Sequence, residues 1–126
     1  MRIVLIVLLA GCSLLAACGK TRGEVKSAAV TQRIEEGATI KDVHFAPVGP
    51  AQAKELTSYL VGWDSDQYND MAGSWMEAAE IVFTLDDNSK IKVSVSWDFK
   101  DWSSGHGDLA VKPGLKNYIE TKLAKE

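Results

Sequence analysis

The chain has 126 residues, of which 14 are Lys or Arg and 17 are Asp or Glu, so its formal net charge is −3. A mildly acidic chain without a basic cluster does not fit the charge pattern of a nucleic-acid-binding protein. About a hundred residues follow the apolar N-terminal segment, which is enough for one small domain and too few for two.

The first residues have the composition of a secretory signal peptide. Arg2 provides a short positive region, and every residue from Ile3 to Ala10 is apolar. The apolar stretch ends at Ala17 and is interrupted around Cys12, so it is shorter than the roughly 20 residues of a membrane-spanning helix. A signal peptide is therefore a better interpretation than a permanent transmembrane anchor.

Two cysteines, Cys12 and Cys18, each follow small residues, as in the bacterial lipobox, where the cysteine is acylated and becomes the new N-terminus. Cleavage before Cys12 would leave a very short apolar region, whereas cleavage before Cys18 leaves a longer one and a polar arm. We therefore predict a lipoprotein signal peptide at residues 1–17, lipidation of Cys18, and a lipidated tether at residues 18–24. The residue after Cys18 is Gly19 and not an aspartate. By resemblance to lipoproteins of diderm bacteria, this predicts an outer-membrane location facing the periplasm.

Lipidation at Cys18 also limits the chemistry of the mature chain. Cys12 would leave with the signal peptide and Cys18 would become a thioether, so neither a free thiol nor an intramolecular disulfide is expected. The net charge would become −4, because Arg2 is the only charged residue removed. A triacylated N-terminus is sufficient for stable anchoring in a membrane.

The region after the tether begins with two predicted helices. From Val25 to Glu36 the apolar residues fall at helical spacing. Thr39, with Asp42 three residues later, has the spacing of a capping box, which predicts the start of a second helix. This second helix should be short, because Pro47 disfavours helix both at its own position and at the residue before it.

The segment from Pro50 to Trp63 has two possible interpretations. Pro50 could begin a helix with Ala53, Leu56 and Leu60 on one face, or residues 58–63 could form the first strand. Apolar runs this short do not distinguish the two, so both remain open at this point.

The clearest pattern is a β-hairpin in the second half of the chain. Ile81, Phe83 and Leu85 alternate with other residues, a turn-rich stretch follows, and a second alternating run extends from Ile91 to Phe99. One face of this hairpin should be buried and the other exposed to solvent.

A final amphipathic helix is predicted after Pro113, with apolar residues at helical spacing between Leu115 and Leu123. For residues 25–126 we therefore predict a single α+β domain. In it, N-terminal helices pack on a small antiparallel sheet of about three strands, and the added C-terminal helix covers the sheet.

Neither a catalytic site nor a metal or cofactor site is predicted. Asp64–Asp70 offers alternating oxygen ligands, but an EF-hand would require other residue types at positions 68, 69 and 75. His44 and His106 are far apart in the sequence, and no cysteine remains to complete a metal site. His106 could act as a base with Asp101 or Asp108 in an envelope hydrolase, but no nucleophile motif accompanies it.

The tryptophans are the most informative candidates for contact with a partner. Trp97 and Trp102 flank acidic residues, an arrangement that could form a sugar-binding platform. Trp97 is in phase with the buried face of the hairpin, so we assign it to the core, and we predict Trp63, Trp75 and Trp102 as exposed contact residues. Because tryptophan is enriched at protein-binding hot spots, an envelope protein is the expected partner.

The segment from Arg33 to Val43, followed by Gly49-Pro50, resembles the BamE/SmpA-OmlA lipoprotein family. In that family an "I-x-x-G-x-T-x-x-x-V" segment ends one helix and begins the next, and Ile34, Gly37, Thr39 and Val43 fit it. The resemblance implies two helices on a three-stranded antiparallel sheet. It also implies a non-enzymatic, outer-membrane-anchored module that binds protein partners in envelope assembly.

The expected function is therefore that of a periplasm-facing lipoprotein, anchored through Cys18, that acts as a protein-binding or scaffolding module rather than an enzyme. An inhibitor, immunity or exclusion lipoprotein is an alternative of the same size with the same anchor. A hydrolase that uses His106 is a further alternative.

Overall fold

In the part of the chain that the structure describes, six antiparallel strands form one sheet that curves into a half-barrel, and two short helices accompany it. The computed structural model describes residues 23–63, 76–104 and 109–126. The elements are β1 (Val25–Glu36), β2 (Thr39–His44), α1 (Pro50–Ser58), β3 (Glu77–Leu85), β4 (Lys90–Ser96), β5 (Asp101–Ser103), β6 (Leu109–Ala110) and α2 (Leu115–Lys122). The strand order is β2-β1-β3-β4-β5-β6. The predicted α+β fold with N-terminal helices on a three-stranded sheet is therefore wrong, because the domain is mostly β.

The first predicted helix is strand β1. Ala28, Val30 and Gln32 are buried, and they alternate with the more exposed Ala29, Thr31 and Arg33, which is the period of two that a strand requires. The same apolar residues also fit a helical spacing. Pairing decides between the two, because β1 lies between β2 and β3 and hydrogen-bonds to both.

The second predicted helix is strand β2, and its capping-box residues close a hairpin. Glu36 pairs with Thr39 across a two-residue turn, and Gly37 has a φ of 66°, a value that suits glycine at the first position of a type II′ turn. The Thr39 hydroxyl donates to the Glu36 carbonyl at 2.9 Å, so it stabilises the turn instead of capping a helix. The residues that resemble the BamE family thus form a β-hairpin here.

For the segment after Pro50, the helical interpretation is correct. Pro50 occupies the first turn of α1, where its missing N–H costs nothing, and Ala53 and Leu56 are buried. Leu60 then forms an isolated bridge with Val111. The helix therefore brings the chain from β2 back across the sheet.

The predicted hairpin and the C-terminal helix are confirmed as β3–β4 and α2. The side chains of Ile81, Phe83, Val93 and Val95 are fully buried on one face of the hairpin. They belong to one hydrophobic core together with Leu56 of α1 and with Leu115 and Ile119 of α2. Both helices therefore contribute to the core on this face of the sheet.

Tyr118 of α2 gives the core a pH-dependent contact. Its ring lies 5.6 Å from that of Tyr59, and burial, aided by a hydrogen bond to the Glu55 carboxylate, raises the pKa of Tyr118 from 10.0 to about 12. Since the neutral phenol is favoured in the folded state, its contribution to stability is complete below pH 10 and is lost as the pH rises towards 12.

We expect this loss to disappear in Tyr118→Phe, which keeps the ring and removes the ionisable group. At pH 9 the wild type should be more stable than Tyr118→Phe by about 1 kcal/mol, the value of one hydrogen bond. The difference should vanish or reverse by pH 12. Urea unfolding of both proteins at several pH values measures it, and a constant difference would contradict the raised pKa.

Candidate functional site

One end of the sheet lies next to the predicted tether, and the other end lies far from it. Gly23 lies beside the β3–β4 turn, where the Asp86 amide donates to the Glu24 carbonyl at 2.8 Å. β1 then continues for 12 residues to Glu36. At its far end lie the β1–β2 turn, the start of β3 and the end of β4. We call this the distal end of the domain.

Two of the three predicted contact tryptophans are core residues, so this prediction is wrong for them. Trp63 is 6% exposed and Trp102 is 1% exposed. The Trp63 ring lies 4.7 Å from Phe83 and 6.1 Å from Trp102, and the Trp102 indole N–H donates to the Val61 carbonyl at 3.1 Å. Trp75 and the lipidation candidate Cys18 lie outside the described residues.

Trp97, which the sequence assigned to the core, is an exposed residue at the distal end. It is 36% exposed because β4 ends at Ser96, so the alternation that buries Val93 and Val95 no longer applies. Met76, 54% exposed, precedes Glu77, which pairs with Ser96. Two large apolar side chains are therefore exposed where β3 begins and β4 ends.

Hydrogen bonds within the chain hold the turn that carries Trp97. The Phe99 amide donates to the Ser96 carbonyl at 2.8 Å. The buried Ser96 hydroxyl donates to Asp98 Oδ1 at 2.6 Å and accepts from the Asp101 amide at 3.0 Å. The hydrogen bond from Ser96, followed by that from the Lys100 amide, lowers the pKa of Asp98. The turn is thus fixed before any partner binds.

Phe99 has a backbone conformation that is unusual for an aromatic residue. Its φ is 57°, in the left-handed region that costs a non-glycine residue about 1–2 kcal/mol. The ring is half-buried and packs against the core, which holds the residue in this conformation. As a result the chain turns sharply after Trp97, and Phe99 forms one wall of a cavity.

This cavity, which we call the distal groove, has a volume of about 270 Å³. Its wall includes Gln32, Ile34, Trp97, Phe99, Lys116 and Glu120. A second cavity of about 550 Å³ shares Phe99, Lys116 and Glu120 with it and continues along α2. The distal groove is therefore the end of a longer depression between α2 and the Trp97 turn.

Gln32 is the unusual residue of the distal groove. It is only 3% exposed and occupies the row of buried residues on β1 that includes Ala28 and Val30. Its Nε2 donates to Glu120 Oε2 at 3.0 Å. Because a carboxylate only accepts hydrogen bonds, this contact fixes the orientation of the amide. Within the described residues, nothing donates to its Oε1.

Asp98 should control the order of the turn and not the stability of the domain. In Asp98→Ala the Ser96 hydroxyl loses its acceptor, and the Lys100 amide keeps only its contact with Ser96 Oγ at 3.3 Å, so we expect faster hydrogen exchange at Lys100. The change in unfolding free energy should be small, as for other exposed sites. In the wild type the same loosening should occur as the pH falls below 3.8 and through the lowered pKa of Asp98.

Asp87→Ala is the matched control for this experiment. Asp87 makes similar contacts with Ser89, at 2.9 Å to the amide, and its pKa is also lowered, first by the Ser89 hydroxyl. It lies in the β3–β4 turn at the other end of the sheet, so exchange at Lys100 should be unchanged. Equal effects of the two substitutions on Lys100 would refute a local role for Asp98.

The other candidates from the sequence do not assemble into a second site. His44 Nδ1 lies 3.1 Å from Thr31 Oγ1 on exposed strand positions, while His106 and Asp64–Asp70 are outside the described residues. Among the residues that are described, no three metal-ligating side chains cluster. In the same part of the chain no helix has the length and apolarity needed to cross a membrane.

Comparison with known protein families, with curated proteins and with solved structures gives no match to this chain.

Proposed function

We propose that this chain is a lipoprotein of the outer membrane, anchored through Cys18 and facing the periplasm, that acts as a protein-binding module and not as an enzyme. Its contact surface is the distal groove with the Trp97 turn. The observation that supports this most directly is an exposed tryptophan on an internally hydrogen-bonded turn, at the end of the sheet opposite Gly23.

The geometry of the tether favours a partner in the periplasm over the lipid surface. Cys18 and Gly23 are five residue steps apart, so they can be separated by at most about 18 Å. β1 has 12 residues and extends roughly 35 Å from that end of the domain. Gly23 is thus the end of the domain held near the membrane, and the distal groove at the other end of β1 can extend away from it.

The chemistry of the groove also favours recognition. Tryptophan contributes strongly to binding when it fits a partner's pocket, and a turn that is ordered in advance reduces the entropy lost on binding. Among the described residues that line the distal groove, none is a serine, threonine, cysteine or histidine. A partner in envelope assembly, which the resemblance to the BamE family implies, is part of this proposal.

Photo-cross-linking in intact cells tests the proposed contact surface. A photoreactive phenylalanine analogue at position 97 should form discrete protein adducts. The same analogue at Val61, an exposed apolar position at 42% exposure that does not line the distal groove, should not. Equal adduct patterns at the two positions, or none at position 97, would count against the proposal.

The anchor is tested separately by metabolic labelling with a fatty-acid probe. Cys18→Ser should abolish labelling of the mature protein, because the acylated residue is removed. Cys12→Ser should leave labelling intact. The reverse result would move the lipid to Cys12 and lengthen the tether by six residues.

A further inference from the structure

We infer that the distal groove receives an arginine side chain of the partner protein. This inference rests on the proposed function and specifies the chemistry that the groove recognises. It depends on three observations: an unused acceptor on the buried Gln32 next to one on the exposed Glu120, an exposed indole that lines the same cavity, and the charge of the lining.

The acceptors are Gln32 Oε1 and Glu120 Oε1. The hydrogen bond between Gln32 Nε2 and Glu120 Oε2 places the amide and the carboxylate side by side, and it uses one polar atom of each. The remaining oxygens have no donor among the described residues. Gln32 is buried, and a buried acceptor without a donor is costly. Glu120 is exposed, so a ligand that supplies several donors gains most at Gln32 and adds a charged contact at Glu120.

The exposed indole of Trp97 belongs to the same cavity. A guanidinium can donate through its planar edge to two oxygens while its face stacks on an aromatic ring. An ammonium group is a compact charge without a flat face, so it cannot both donate to the two oxygens and stack on the indole in the way a guanidinium can. The combination of paired acceptors and an exposed indole therefore favours arginine over lysine.

The charges around the cavity favour a cation over a neutral ligand. Arg33 also lines it but is paired with Asp42 at 3.5 Å. Counted together with Asp42, the partner of Arg33, the groove has three negative residues, Glu35, Glu120 and Asp42, and two positive ones, Arg33 and Lys116, which gives a net charge of −1. A sugar ring could also stack on Trp97, but it would not use this charge.

The volume of the groove is suited to one side chain. At about 270 Å³ it is slightly below the usual range of about 300–1,000 Å³ for small-molecule sites. Only one residue of the partner would enter it, and affinity for that residue alone should be weak. The test therefore needs a method that detects millimolar binding.

The experiment uses N-acetyl-arginine-N-methylamide as the probe and follows the Trp97 indole N–H signal by NMR in the folded protein. The signal should shift saturably with this probe. The citrulline analogue, which has the same shape without the charge, should bind about tenfold more weakly, because a charge-assisted pair becomes a neutral one. Binding of the arginine probe should also weaken with added salt.

Glu120→Gln is the main variant, because it keeps an oxygen to accept from Gln32 and removes only the charge. It should weaken binding of the arginine probe about tenfold. Glu80→Gln is its control: Glu80 pairs with the exposed Lys92 at 3.6 Å, so the same charge is lost elsewhere and binding should not change. Equal weakening in both variants would mean that the overall charge of the protein determines binding of the arginine probe, and this would overturn the inference.

Results with other probes, and their combination with the cross-linking result, also test the inference. Preference for the lysine analogue, for the citrulline analogue or for methyl N-acetylglucosaminide over arginine would overturn the inference. If position 97 cross-links to a protein but no arginine probe binds, the proposed function stands and the arginine inference fails. If the probe binds selectively and no cross-link forms, the site stands and the proposed protein partner fails.

Discussion

Replacing Trp102 by alanine should lower the free energy of unfolding by about 4 kcal/mol, which is typical of a fully buried tryptophan. Trp102 is 1% exposed, contacts Trp63 and donates its indole N–H to the Val61 carbonyl. The substitution would leave a cavity beside Trp63 and an unpaired carbonyl. Because small domains have a total stability of about 5–15 kcal/mol, a large part of the protein should be unfolded at moderate urea concentrations.

Trp97→Ala is the matched control, since it removes the same side chain from an exposed position. Its effect on stability should be clearly smaller than that of Trp102→Ala, because Trp97 is 36% exposed and its removal returns less apolar area to water. Trp102→Phe should fall between the two, because it keeps part of the volume and loses the hydrogen bond to Val61. Urea denaturation measures all three, and comparable losses in Trp97→Ala and Trp102→Ala would contradict the burial described here.

The second large effect is expected for Gln32→Glu, which places a carboxylate where the amide now donates to Glu120 at 3.0 Å. Two carboxylates at this distance cannot both be ionised without a large cost, so the pKa of one of them should be strongly raised. At pH 7 we expect a loss of roughly 3 kcal/mol of stability, the lower end for an unpaired buried charge.

The stability of the Gln32→Glu variant should depend on pH in a definite direction. A carboxyl group with a folded-state pKa above its unfolded value of about 4.3 binds more protons when folded, so stability decreases as the pH rises through that interval. The variant should therefore recover as the pH falls towards 4. Gln32→Leu has no charge and should show no such recovery, which separates repulsion between carboxylates from a general packing defect.

The parts of the fold that the sequence predicts well depend on local patterns. In β3 and β4 the alternation is long, β-branched residues dominate and turn residues separate the two runs, so only a hairpin fits. The helix α2 has apolar residues from Leu115 to Ile119 that repeat only at helical spacing. In both cases the local pattern and the tertiary environment agree.

β1 and β2 could not be predicted in the same way. Ala28, Val30 and Gln32 fit both a helical stripe and an alternating strand, and Thr39 is as suitable for a hairpin turn as for a helix cap. What selects the strand is pairing with β3, a segment distant in the sequence. Propensity is a weak prior that such tertiary pairing overrides.

The candidate site was missed because its residues depend on where strands end. Extending the alternation of β4 by one residue pair places Trp97 in the core, but the strand stops at Ser96 and the turn exposes the indole. Gln32 carried a detectable signal: a polar residue in phase with Ala28 and Val30. That signal is informative only once β1 is recognised as a strand.

The order of the strands has a consequence for how the protein folds. β1 pairs with β3 across 47 residues at one end of the register, from Gln32 to Ala79, and across 60 at the other, from Val25 to Leu85. Pairing across such distances requires long loops to close, which makes folding slow. If the chain is exported by its predicted signal peptide, so that β1 crosses before β3, the centre of the sheet cannot be completed until Leu85 has crossed. The polypeptide would then remain unfolded during translocation and complete its sheet only after reaching the periplasm.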